Sequence, residues 1–200
     1  MKIPEDYIQK IILPSCNYDK RIAEAFIKIP RHYFVDEALH KLAYKDEALP
    51  IGFGQTISKP STVAKMTFLL DPKPADKVLE IGTGSGFQAA ILSKLASEVF
   101  TVERISGLYK RASSTIRKLF INNVRFKIDN GKIGWEENAP FDKIIVTAEA
   151  ENFPDELLLQ LKNNGKMVIP IKGILKVFTK KDADLIEEAV SECKFVKFVT

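Results

Sequence analysis

Cysteine and histidine are scarce in this 200-residue chain, at two residues each, and tryptophan occurs once. Cys16 and Cys193 stand near opposite ends, and His32 and His40 share no close-spaced ligand pattern with them, so neither a zinc centre nor a Cys-His nucleophile pair is expected. No Ser-His-Asp signature stands out, which argues against a hydrolase. Long apolar runs are missing too. None approaches the roughly 18 residues that a membrane span needs, and the opening Met-Lys-Ile-Pro-Glu-Asp lacks the apolar stretch of a signal peptide. A soluble cytoplasmic chain with reduced thiols, without a membrane partner, is the expectation. Nor is there a large excess of one charge: 30 Lys and Arg oppose 26 Asp and Glu, a net of +4, interspersed along most of the chain. Short basic pairs such as Lys110-Arg111 and Lys180-Lys181 therefore read as solvated surface, and a nucleic-acid partner is not expected.

What is present is a sizeable apolar fraction, 46% of residues, enough for a substantial single core. Residues 1–75 read as helices and loops with no strong strand alternation. Ile8, Ile11 and Ile12 recur at helical spacing, as do Ile22, Ala25, Phe26 and Ile29, and a third helix is expected from Thr62 to Leu70 with Ser61 as its N-cap. Asp71-Pro-Lys-Pro74 separates this region from residues 76–200, where the pattern changes. Apolar strands are expected at Val78–Ile81, Val99–Val102, Val124–Ile128, Ile144–Thr147 and Met167–Ile171, separated by helices at Phe87–Leu95, Ser106–Phe120 and Asp155–Leu161. This is the βα rhythm of a parallel, doubly wound sheet. Beyond it, Leu175–Thr179 and Phe195–Val199 read as further strands around a helix-prone, acid-rich stretch from Asp182 to Glu192.

Ten glycines are few, but three of them fall within five residues, in the run V-L-E-I-G-T-G-S-G-F-Q from Val78 to Gln88. Gly82, Gly84 and Gly86 follow a strand and open onto a helix, at the carboxyl edge of the sheet where open α/β folds bind ligands. The spacing is G-x-G-x-G and not the dinucleotide pattern G-x-G-x-x-G. Glu80 at the strand end offers a carboxylate to an ammonium group, and Glu103 ends the next strand about 20 residues on, in the place of a ribose-binding acid. Together these features suit S-adenosyl-L-methionine better than NAD.

Several motifs along the chain resemble those of the protein-L-isoaspartate O-methyltransferases. They are I-P-R-H-Y-F-V (Ile29 to Val35), Ala43-Tyr44, G-F-G-Q-T-I-S-K-P (Gly52 to Pro60), the glycine loop, V-E-R (Val102 to Arg104), A-P-F-D-K-I-I-V-T-A (Ala139 to Ala148) and V-I-P (Val168 to Pro170), in unbroken order from about Asp19 to Pro170. The resemblance implies an α/β fold of the class I S-adenosylmethionine-dependent methyltransferase (Rossmann-like) type. That is a mostly parallel seven-stranded sheet with helices on both faces and an N-terminal helical extension, in one compact domain. It also implies a monomeric protein-repair enzyme that methylates the free carboxyl of L-isoaspartyl residues in damaged proteins or peptides. Such a carboxyl, with a pKa of roughly 4, is already ionised at neutral pH, so no general base is needed. The enzyme has to hold a carboxylate oxygen in line with the sulfonium methyl at roughly 3 Å and exclude water.

By the same resemblance, Ser58 is the catalytic candidate, a hydroxyl that donates to one carboxylate oxygen and leaves the other free to attack. Gln55, Thr56 and Lys59 would surround the acceptor. Glu80, Gly82, Thr83, Gly84, Gly86, Glu103, Asn130, Gly131 and Thr147 would hold the cofactor. The chain departs from the family's usual residues at Asn130 (usually Asp), Lys59 (often Gln or small), Glu149 (usually small and apolar) and Phe87 (usually Tyr), and it matches loosely after Ile171. Two other readings stay open on residues alone: an RNA methyltransferase, although Thr147-Ala-Glu-Ala150 is not an N-P-P-[YF] motif, and a diverged relative that binds S-adenosylmethionine without catalysis.

Overall fold

The computed structural model describes residues 2–182 and 184–197. Seven strands form its central sheet: β3 (Lys77–Ile81), β4 (Glu98–Glu103), β5 (Val124–Ile128), β6 (Phe141–Val146), β7 (Leu161–Ile171), β8 (Ile174–Lys181) and β9 (Asp184–Glu192), in the spatial order β5-β4-β3-β6-β7-β8-β9. The first five run parallel, and β8 and β9 add an antiparallel meander at one edge. Strand order reverses at β3, whose chain neighbour β4 lies on one side while β6 lies on the other. That is the switch point at which doubly wound sheets open a crevice. The register then decides which residues meet there. Ile81 pairs with both Val102 and Val146, so Gly82, Glu103 and Thr147 leave the sheet side by side at its carboxyl edge.

Alternation along these buried strands sends side chains to two cores. Leu79, Ile81, Phe100, Val102, Ile144 and Met167 share one cluster with Leu157 of helix α6 (Asp155–Leu159). Val78, Val99, Ile145 and Val168 share the other with Met66 and Leu70 of α3 (Pro60–Leu70) and Ala89 and Leu92 of α4 (Phe87–Leu92). Helices thus cover both faces, as a parallel sheet requires. Helix α5 (Ser106–Lys118) buries Leu108, Ala112 and Ile116, spaced four apart, beside α4. N-terminal to α3, a π-helical turn (Tyr7–Ile12) continues into a short α1 (Leu13–Ser15), followed by α2 (Lys20–Lys28), whose Asp19 N-cap accepts from the Arg21 amide at 2.9 Å. The apolar stripe of α2 joins the core next to the glycine loop, with Phe26 edge-on to Phe87 at 5.7 Å.

Four expectations are corrected. The acid-rich segment ending at Glu192 is strand β9 and not a helix. Leu185, Ile186, Ala189 and Val190 would share one face of a helix, but β8 presents a free edge whose backbone groups β9 satisfies over eight paired positions, with Lys176 Nζ 2.5 Å from Glu187 Oε1 across the ladder. Phe195 and Val196 are not in a strand; Lys197 makes a single bridge to Glu149, and residues 198–199 of the expected strand lie outside the described residues. The N-terminal region holds a hairpin, β1 (Leu49–Gly52) and β2 (Gln55–Ile57), closed by Phe53 and Gly54, both at positive φ (55° and 68°), as a type I′ turn demands. Its proline and three glycine-adjacent positions hid the alternation of Leu49 and Ile51, which are buried. Finally, α3 begins one residue before Ser61, after an Lys59 N-cap that makes no side-chain bond; the Ser61 amide is instead met by the Asp46 carboxylate at 2.9 Å.

Candidate active site

The loop after β3 bends because its glycines permit it. Gly82 has φ +98°, and a Cβ there would lie 2.5 Å from Thr147 Oγ1. Gly86, at φ +86°, starts α4, and a Cβ on it would press to 3.1 Å against Ala112 of α5. Gly82 is therefore a cleft position and Gly86 a packing position that lets α4 and α5 close on each other. The Thr147 hydroxyl lies 2.6 Å from the Gly82 carbonyl oxygen and 3.1 Å from that of Ile81, which ties the end of β6 to the bend.

Glu103 is 5% exposed and faces the same cleft. Its Oε2 accepts from the Gly84 amide and its Oε1 from the Ile105 amide, both at 2.8 Å. Each carboxylate oxygen keeps another lone pair for a ligand hydroxyl. Glu80 is placed differently. It is 0% exposed, does not line the cleft, and lies beneath the loop on a relay in which the Thr101 hydroxyl donates to its Oε2 at 2.5 Å and the Thr83 and Thr101 hydroxyls are 2.6 Å apart. Its Oε1 has no partner among the described residues, and burial pushes this carboxyl up to about 8.

Asn130 reaches the cleft from the loop after β5, with its Oδ1 accepting from the Lys132 amide at 2.9 Å, so its NH2 remains a donor. Asp129 turns instead to Lys127, 3.5 Å away. Gly131 is buried behind this turn at φ +79° and does not line the cleft.

From the N-terminal side, Gln55, Thr56 and Ser58 complete the cleft wall. A second, wider groove of ≈ 1040 Å³ opens on the far side of this segment, bounded by Lys59, the start of α3, the β7–β8 turn and residues 191–196. Thr56, Ser58, Thr147 and Val196 line both hollows, so Ser58 stands where they meet. Lys59 lies in the groove only. Sequence reading missed the wall residues Gln88, Leu108, Val196 and Lys197. Gln88 and Leu108 are ordinary helix positions in the sequence. The tail reaches the cleft because the Glu149 amide donates to the Val196 carbonyl at 2.8 Å, a pairing without a local signal.

The sequence profile of the protein-L-isoaspartate(D-aspartate) O-methyltransferases matches residues 4–200. The chain belongs to that family. A protein-L-isoaspartate O-methyltransferase of Geobacter metallireducens is 51% identical over 186 residues, covering 90% of this chain and 86% of that protein. One of Dictyoglomus thermophilum is 50% identical over 181 residues, 88% of this chain and 82% of that protein. Among solved structures, a protein-L-isoaspartate O-methyltransferase superposes with a TM-score of 0.86 at 28% identity over 95% of this chain, which spans 65% of that longer chain. A Plasmodium falciparum structure described as a putative enzyme of the same kind, in complex with S-adenosyl-L-homocysteine, also gives 0.86, at 24% identity and 97% coverage of both chains. The family is S-adenosyl-L-methionine-dependent, and the cleft fits that group: a bend that a Cβ at Gly82 would fill and a carboxylate at Glu103 that faces it.

Proposed function

We propose that this chain methylates the free carboxyl of L-isoaspartyl residues in damaged proteins, with S-adenosyl-L-methionine as donor. The observation that carries the reading is the place of Ser58, on the wall shared by the glycine-loop cleft and the wider groove. When bound, S-adenosyl-L-methionine supplies an electrophilic sulfonium methyl. Gly82, Thr83 and Gly84 would hold its amino-acid portion, Glu103 its ribose, and Asn130 its adenine. Glu80, Gly86 and Gly131 act on it only by shaping the loops from behind.

The acceptor carboxylate arrives ionised, so the protein has no proton to remove. Ser58 Oγ donates to one of its oxygens and leaves the other directed at the cofactor cleft. Gln55 and Thr56 flank that position, and Lys59, in the groove, adds a cation where an anionic acceptor enters. Val196 and Thr56 of the hairpin wall the same junction. We read the enzyme as one compact unit in which residues 1–75 pack against the cofactor-binding part, residues 76–200, and as a cytoplasmic monomer. Cys16 and Cys193 are free thiols, and among the described residues no helix is long and apolar enough to cross a membrane.

Labelled methyl transfer to two peptides that differ only in an L-isoaspartyl or a normal L-aspartyl linkage tests the reading. Selective labelling of the isoaspartyl peptide is expected. Absence of labelling by protein that binds the cofactor in calorimetry would overturn it in favour of another acceptor or a silent relative.

A further inference from the structure

Arg31 is 0% exposed, yet its guanidinium hydrogen bonds among the described residues all go to backbone carbonyls and none to a carboxylate. Its guanidinium is spent on backbone: Nη1 donates to the Ala43 carbonyl at 2.6 Å, and Nη2 to the carbonyls of Glu47 at 3.1 Å and Ser58 at 2.8 Å. The Nε has no partner, and the guanidinium carbon lies 5.9 Å from the ring centroid of Phe87, itself a wall residue of the cofactor cleft. Burial lowers its pKa to about 10, so it stays charged at neutral pH. Asp46 is the carboxylate whose charge favours it, without a direct ion pair; a cation so buried is costly, and well-packed apolar side chains often serve stability as well or better. The planar fork offers something that apolar packing cannot. It ties the Ala43–Glu47 turn to the segment that carries Ser58.

We propose that Arg31 is a positioning residue for methyl transfer, setting the Ser58 hydroxyl at the junction of cleft and groove through the Ser58 carbonyl, with Phe87 as its rest on the cofactor side. The proposal rests on the reading of Ser58 as the acceptor contact. Lysine keeps the charge but has no fork to span three carbonyls, and glutamine keeps a planar donor without the charge.

The test compares wild type, Arg31→Lys, Arg31→Gln, Ser58→Ala and Ser58→Ala/Arg31→Lys for kcat and KM on an isoaspartyl peptide, with S-adenosyl-L-methionine affinity from calorimetry. Arg31→Lys and Arg31→Gln should lower kcat tenfold or more while cofactor affinity stays within about twofold. In the Ser58→Ala background, Arg31→Lys should change kcat less than twofold, because the hydroxyl it positions is gone. An equal kcat loss in both backgrounds, or a lower melting temperature with kcat unchanged, would overturn the proposal. Loss of cofactor binding in both Arg31 variants would also overturn it, since Arg31 would then support the whole fold. A wild-type enzyme that leaves isoaspartyl peptide unlabelled would refute the parent reading and is seen before any variant is made.

Discussion

The Thr147 hydroxyl lies 2.6 Å from the Gly82 carbonyl oxygen, and a methyl group on Gly82 would come within 2.5 Å of that same hydroxyl. The pair locks the cofactor bend from two strands at once. Gly82→Ala should weaken S-adenosyl-L-methionine binding by about tenfold or more, since a non-glycine residue at positive φ costs about 1–3 kcal/mol before the clash is counted. Thr147→Ala alone should weaken it only a few-fold and should partly rescue Gly82→Ala by removing the obstructing hydroxyl. Calorimetry on the four proteins of this cycle checks both statements; strict additivity would mean that the contact plays no part.

On the proposed role of Ser58, Ser58→Ala removes a charge-assisted hydrogen bond to the acceptor, worth about 1.5–3 kcal/mol. Turnover of an isoaspartyl peptide should fall about ten- to hundredfold with cofactor affinity unchanged. Steady-state kinetics beside calorimetry separates the two, and a parallel loss of both would place Ser58 on the cofactor side.

Glu80 gives a pH dependence with a definite sign. Burial holds its carboxyl at about 8 in the folded chain, above the unfolded value of 4.5, so between those values the native state binds more protons than the unfolded state. Its contribution to stability is full below about pH 4.5 and is lost progressively as pH rises towards 8. Glu80→Gln should flatten that decline, and denaturant unfolding at a series of pH values reads it directly. An unchanged slope would show that Glu80 is ionised in the fold.

At Asn130, the side-chain oxygen already serves the Lys132 amide. Asn130→Asp should keep that turn and present a charged acceptor to the cofactor's adenine amino group, a bond roughly twice as strong as a neutral one. A few-fold gain in S-adenosyl-L-methionine affinity is expected by calorimetry, and a loss would show that the amide NH2 makes the contact.

Much of this was legible in the chain itself, for local reasons. A glycine triplet between a strand and a helix specifies a bend because residues with a side chain rarely adopt a φ such as Gly82's +98°. Five apolar runs separated by helical stripes specify a parallel sheet because both faces must be covered. Those facts placed Gly82, Glu103 and Thr147 at strand ends on the carboxyl edge; the pairing of β3 with both β4 and β6 brought them side by side. Tertiary structure decided what depends on a partner distant in sequence. Asp184–Glu192 is a strand only because β8 leaves an edge to pair with. Glu80 faces inward, away from the cleft, where Thr101 stands opposite it in the β3–β4 register and Thr83 of the loop meets Thr101. Val196 walls the cleft because Glu149 holds its backbone, and Ser58 is fixed by an arginine 27 residues before it. Periodicity and propensity are summed over neighbouring residues, whereas a backbone carbonyl's partner is chosen by whatever the folded chain brings within hydrogen-bond reach.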